Sequence, residues 1–311
     1  MTATLRVAFA GPHVSVQDWG RPGFMRFGVP HSGPMDRLGF AAALAAAGLP
    51  PDAAGIEVSA GGLVLDCAEG EVGFAVAGGG FLLRHQGKLL PSWHRGTLRA
   101  GDRLEIRPGS WGSWSYLVLA GVLEAKRWLG SASTHSQSGF GGGGLTAGEA
   151  LVVSDCHALR EGPIPVPVFA RPHNKVRATL GPQEQFFPQT AIAAIEGTDF
   201  TLTGAYDRMG WRLAGPDMRP EGALDIPSGP VARGSVQVSG DGVATILMAD
   251  HQTTGGYPRI ATVIDADLDL LAQHRPGQML RFQMISAENA QATARLRLKT
   301  VAAYLRGLTR P

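Results

Sequence analysis

The sequence predicts a mainly β protein built as two β-rich subdomains with a few helices. Three observations carry that reading. First, 43 glycines and 21 prolines in 311 residues supply the frequent turns that short strands need. Second, β-favouring runs recur between Gly-rich turns: Leu63-Val64-Leu65, Val72 to Val76, Phe81-Leu82-Leu83, Leu104-Glu105-Ile106 and Tyr116 to Leu119. Third, the halves echo each other loosely. Gly11-Pro12-His13 is answered by Gly181-Pro182-Gln183, and Gly101-Asp102-Arg103-Leu104 by Pro276-Gly277-Gln278-Met279-Leu280. The expected boundaries are 1–160, a Pro-rich linker over 161–173 (Pro163, Pro165, Pro167, Pro172), and 174–311.

Taken in order, Leu5 to Ala10 reads as a strand, and the Gly- and Pro-rich stretch from Gly11 to Asp36 as a long loop. That loop interleaves Gln17, Asp18, Arg21, Ser32 and Asp36 with apolar residues, a pattern that suits polar groups held in place by packing. An ion pair between Asp18 and Arg21 is an equally good account of it. A helix follows from about Asp36 to Ala47, capped by Asp36 and ended by Gly48 and Pro50. Gly55 to Gly121 is all β, with Trp111 and Trp114 as core or rim aromatics. Leu129 to Gly144 is the stretch richest in hydroxyls and glycine and contains His135. Backbone N–H groups in such a loop can cradle an anion, but the Lys-Ser/Thr ending of a P-loop is missing.

The second half begins at Val176, with a short helix near Thr190 to Ile195 and strands around Ala205 to Leu213, Gly234 to Val238 and Met279 to Met284. Ala287 to Leu308 is helical, with Leu298, Val301, Ala302 and Leu305 spaced for one apolar face. The stretch that breaks every core rule is Met248 to Tyr257. A strand-like run, Val243 to Leu247, ends in Asp250, His251, Gln252, Thr253 and Thr254, then Gly255-Gly256 and Tyr257. Polar groups at a strand end before a Gly pair suit a ligand pocket, as they also suit a surface hairpin.

Several function classes are excluded at this level. Hydrophobic residues are 44% and charged residues 17%, which is globular rather than disordered. A net charge of +2 without a Lys/Arg block gives no footprint for nucleic acid. Cys67 and Cys156, the two cysteines, make no disulfide framework or zinc site; reduced thiols in a cytoplasm are the simplest reading, and a single bridge stays open. The N-terminus shows no basic region followed by an apolar core, and no apolar run is long enough to span a bilayer. A cytoplasmic location and no membrane partner are expected.

Six motifs in order then resemble one family. They are Gly11-Pro12 with Gln17 to Gly23; Gly28 to Asp36; Ser133-Thr134-His135; Gly181-Pro182-Gln183; Asp207 to Leu213; and Asp250 to Pro258. The set is similar to the allophanate hydrolase subunit 2 family, which includes the C subunit of bacterial 5-oxoprolinase, KipA, and one half of the carboxyltransferase domain of urea carboxylase. The resemblance covers about Leu5 to Phe282. It implies a cyclophilin-like β-barrel architecture and a small-molecule substrate. It also implies two partners, a KipI-like B subunit and a third, A subunit. Three positions depart from the family pattern: Ala132 where Arg is expected, Ser239 where Pro is, and Glu149 where Asp is.

The leading expectation is a subunit of an ATP-dependent 5-oxoprolinase, inactive alone, with ATP and Mg able to sit on a partner. Side-chain chemistry plus the resemblance makes Arg21 and Arg208 the cations, Asp250 or Asp18 the base or a metal contact, and His135 a proton shuttle. Gln17, Gln237 and Gln252 would orient the substrate, and Asp18, Ser32, Asp36, Thr253, Thr254 and Tyr257 would help bind it. No resident metal is expected. Two alternatives remain: biotin-dependent carboxyl transfer to urea or a related amide, with biotin supplied by another protein, and a KipA-like regulator that binds a KipI-like kinase inhibitor.

Overall fold

The computed structural model describes residues 1–221 and 226–309. The chain forms two compact units. The first comprises Met1–Arg21, Ser32–Arg171 and Val301–Pro311; the second comprises Pro22–His31 and Pro172–Thr300. The change from first to second falls inside the expected 161–173 linker, but each unit also borrows a segment from beyond that point. The stretch is not bare linker either: Gly162–Pro163 pairs with His94–Arg99, and Val168–Ala170 makes a 3-10 turn.

In the first unit, the described residues form an 11-stranded sheet. Its two longest members, Glu71–His85 and Arg103–Leu119, pair antiparallel. Each fuses what the sequence suggested were separate short strands; in Glu71–His85 this is because Gly78-Gly79-Gly80 is a bulge and not a turn. Register shifts on both sides of Gly80, and a Cβ there would lie 2.1 Å from Trp111 Nε1. Glycine therefore makes room for a half-buried indole while the ladder runs on. Gly80→Ala should cost about 1–3 kcal/mol, as overpacking does; urea unfolding of the two proteins checks this. Leu5, Val7, Ile56, Phe74, Val76 and Leu117 are wholly buried on this sheet, and Trp114 joins the core.

The helix Arg37–Ala46 starts as expected, with the Asp36 carboxylate accepting from Gly39 N at 2.9 Å. Glycine at 48 takes a φ of 68° just past its end, the left-handed turn that stops a helix. Its Phe40 meets Tyr116 edge to face at 5.6 Å.

The second unit holds a closed seven-stranded barrel. Around it run Lys175–Leu180, Arg259–Val263, Ser235–Val238, Ala244–Leu247, Gly210–Ala214, Phe200–Tyr206 and Met279–Met284. The last strand returns parallel to the first; every other pair is antiparallel. Val236, Trp211, Ile246 and Ile260 have no exposure and fill the barrel with Phe200 and Phe282, whose rings lie 5.4 Å apart. The helices are Gln189–Gly197, Asp265–Ala272 and the long Ala287–Leu308. On the last, Val301 and Leu305 are half-buried, but Leu298 is 70% exposed and Ala302 is exposed. The sheltered stripe runs through Ala294, Arg297, Val301, Tyr304 and Leu308 instead, one residue round from the predicted face. None of the described helices is long and apolar enough to cross a membrane.

Candidate functional site

Strand alternation puts Trp211, Ile246 and Val236 inside the barrel and sends their neighbours Arg212, Thr245 and Gln237 outward. These neighbours line a cavity of about 400 Å³ on the barrel's outer wall, with Tyr206, Asp207, Met209, Leu247 and Gln252. Gln252 Nε2 donates to Gln237 Oε1 at 3.1 Å, so two of the expected substrate-binding amides meet there. Asp207 Oδ1 accepts from Met209 N at 2.7 Å and Gly210 N at 3.1 Å. Arg212 is paired with Asp241 at 2.9 Å, both about half exposed, which makes a weak and exchangeable contact.

The loop that supplies Gln252 is anchored by a buried ion pair. Arg208 Nε and Nη2 donate to the two oxygens of Asp250 at 2.9 and 3.1 Å, with side-chain exposures of 1% and 0%. The backbone reinforces it, Asp250 N donating to Arg208 O at 2.7 Å. Arg208 and Asp250 were expected to be a catalytic cation and base. Their fork geometry and burial also tie 248–252 to 208–210. Thr254–Gly255 continues the loop as a two-residue strand on Gly229–Pro230. Thr253 is buried with its carbonyl accepting from Val231 N, whereas Thr254 and Tyr257 are exposed.

Next to this ion pair His251 is buried, and its Nδ1 lies 2.6 Å from the Gln252 carbonyl oxygen. Burial holds its pKa below the ordinary histidine value; Arg233 and His31 act in the same direction, against the Gln252 carbonyl and Asp250. His94 and His274 are lowered as well, again chiefly by burial. The unfolded chain therefore binds more protons than the folded one below about pH 6.5. Stability should be full above that pH and fall as pH drops through it, towards the lowered folded values. Urea midpoints at pH 7.5 and 5.5 read this out, with the loss smaller in His251→Gln than in the parent.

The first unit has its own polar cluster. The Asp18 carboxylate accepts from Ser131 Oγ at 2.5 Å, Ala132 N at 2.7 Å, Ser133 N at 3.2 Å and Gly20 N at 2.9 Å. The loop amides that the sequence offered as an anion cradle are thus turned onto the protein's own carboxylate. Asp18 pairs across 3.6 Å with Arg127, not with Arg21. Arg21 donates instead to the Ser133 carbonyl and lies 5.0 Å from the Trp128 ring centre. Gln17 donates to Ser15 Oγ and Thr134 O and accepts from Ser133 Oγ. Gly33 N donates to Ser133 Oγ at 2.7 Å, which brings the Ser32 turn onto the same loop. His135 is 9% exposed with Nδ1 2.8 Å from Ser138 Oγ.

The predicted residues therefore fall into two groups. Gln17, Asp18, Arg21, Ser32, Asp36 and His135 belong to the first unit, and Arg208, Gln237, Asp250, Gln252, Thr253, Thr254 and Tyr257 to the second. Asp36, offered for substrate, is 3% exposed and occupied as the helix cap. Sequence reasoning missed Tyr206, Asp207, Arg212 and Thr245; the alternation Trp211-in, Arg212-out was the available signal. It also missed Glu57, wholly buried, which accepts from Met35 N at 2.7 Å and Tyr116 Oη at 2.8 Å. Among the described residues no group of three or more His, Cys, Asp or Glu is arranged to hold a metal.

Comparison with known proteins fits this architecture. The chain is 35% identical to the C subunit of 5-oxoprolinase from Haemophilus influenzae, over 92% of this chain and 91% of that protein. It is 32% identical to the Escherichia coli protein of the same name, over 92% and 93%. The crystal structure of the Kluyveromyces lactis urea carboxylase superposes with a TM-score of 0.87 at 25% identity, covering 99% of this chain and 30% of that one. The chain thus spans under a third of that enzyme. A family described as carboxyltransferase domain, subdomain A and B, matches residues 27–284, and to that family the chain belongs.

Proposed function

We propose that the chain is the C subunit of a 5-oxoprolinase and helps to open 5-oxoproline to glutamate together with partner subunits. The observation that carries this is end-to-end similarity at 35% identity to a protein of that name. The lactam is a poor electrophile, and ATP would supply the phosphoryl group that activates its carbonyl. The 131–133 loop does not fit as the nucleotide's cradle, because Asp18 already holds the Ala132 and Ser133 amides. In the proposed complex a partner, the KipI-like B subunit or the third, A subunit, would hold ATP and Mg. This chain would then contribute substrate contacts.

The test is release of phosphate and glutamate from ATP and 5-oxoproline, by the chain alone and mixed with its candidate A and B subunits. Glutamate in the full mixture alone is the expected result. A stable complex without turnover overturns it. Two observations favour a second reading, biotin-linked carboxyl transfer: the family match and the urea carboxylase superposition. Transfer of labelled bicarbonate to urea from a biotinylated carrier would separate the two.

A further inference from the structure

Four neighbouring strands of the barrel carry an unusual row on their outer face. Arg212 opposes Thr245, Thr245 opposes Gln237, and Gln237 opposes Arg259. Residues directly opposed in antiparallel strands share a face. Gln252 is added to this row from the anchored loop and bonds Gln237 head to tail at 3.1 Å. A carboxamide has one acceptor oxygen and one NH₂. The single bond between the two uses the oxygen of one and the nitrogen of the other. What remains includes the NH₂ of Gln237 and the oxygen of Gln252, neither bonded elsewhere among the described residues, in a cavity they both line. Exchanging oxygen and nitrogen in both side chains leaves the same offer, one donor beside one acceptor.

An open-chain amide is trans and shows its N–H and C=O on opposite edges. A small lactam is forced cis and shows both on one edge, in the order this pair would take. Arg212 lines the same cavity in an exposed ion pair with Asp241, so its guanidinium can change partner at little cost. Asp207 brings a negative charge to the lining, but its Oδ1 is engaged by two backbone amides.

We propose that the Gln237–Gln252 pair is the subsite that binds the cis-amide edge of a small lactam, with Arg212 taking the carboxylate that the lactam bears. The choice of 5-oxoproline as that lactam rests on the function proposed above. A cyclic ureido group shares the same edge, so biotin is the other source of this chemistry.

Calorimetric titration of the full chain with 5-oxoproline, 2-pyrrolidinone, biocytin and N-acetylalanine tests it. The lactams should bind and the open-chain N-acetylalanine should not. Gln237→Leu and Gln252→Leu should each weaken 5-oxoproline about tenfold, the worth of a lost hydrogen bond plus its stranded partner. Arg212→Ala should weaken 5-oxoproline to the level of 2-pyrrolidinone and leave 2-pyrrolidinone unchanged. Biocytin binding with the same glutamine dependence keeps the subsite and assigns it to the ureido ring. Unaltered affinity in both glutamine variants, or equal binding of N-acetylalanine, removes the proposal. KM for 5-oxoproline in the reconstituted mixture is the second readout. Turnover with an unchanged KM in both variants sinks the subsite and spares the 5-oxoprolinase reading. Glutamine-dependent lactam binding without turnover does the reverse. Binding by no cyclic amide, together with unchanged KM, also overturns the subsite.

Discussion

Arg208→Ala should lower the stability of the barrel unit by about 3–5 kcal/mol, the cost of stranding a buried carboxylate. The fork from Arg208 to Asp250 is shielded from water on both sides, with exposures of 1% and 0%. Removing one partner leaves the other charged and dry. The double variant Arg208→Met, Asp250→Leu should recover most of the loss, because two apolar side chains do not need each other. Urea unfolding of the parent, both single variants and the double variant closes the cycle. Wild-type stability in Arg208→Ala with loss of turnover in the reconstituted mixture would instead put the pair in the chemistry.

Asp18→Ala should cost about 3 kcal/mol or more, since several buried donors lose one acceptor and each such loss is worth about 1–3 kcal/mol. Ser131 Oγ and the amides of Ala132 and Ser133 all point at that carboxylate. The damage should be local. Hydrogen exchange at 131–135 should accelerate strongly, while the amides of Glu71–His85 keep their protection. Asp18→Asn separates charge from geometry: it keeps one acceptor oxygen and should lose about half as much. If exchange at 131–135 is unchanged in Asp18→Ala, the loop is held by Arg21 and Gln17 instead.

What could be read from the sequence was local. The Asp36 cap, the left-handed Gly48 and the strand Met279–Met284 all stand where turn and propensity arguments put them. The three-glycine bulge at Gly78 to Gly80 was misread because glycine marks a turn and a bulge alike; only Trp111 on the facing strand decides which. The site residues follow the same rule. Gln237 and Gln252 do meet, but nothing in their spacing says that they bond each other. Arg208 and Asp250 carried the right chemistry for catalysis and found each other across 42 residues, a pairing that their spacing does not announce. Asp18 and Arg21, three apart, did not pair, because the loop at 131–133 offered each a better partner. The helix Asp265–Ala272 went unseen, since its acidic first turn follows directly on the strand Arg259–Val263.

The parallel return of Met279–Met284 onto Lys175–Leu180 has a kinetic meaning. Its partners, such as Lys175 and Arg281, are separated by roughly a hundred residues, so this is a contact of very high sequence separation and closes late. On the ribosome the barrel stays an open sheet with two unpaired edges until Met284 has left the tunnel. That interval is when the unit is exposed to aggregation, and a chain truncated before Met279 would be held in it permanently.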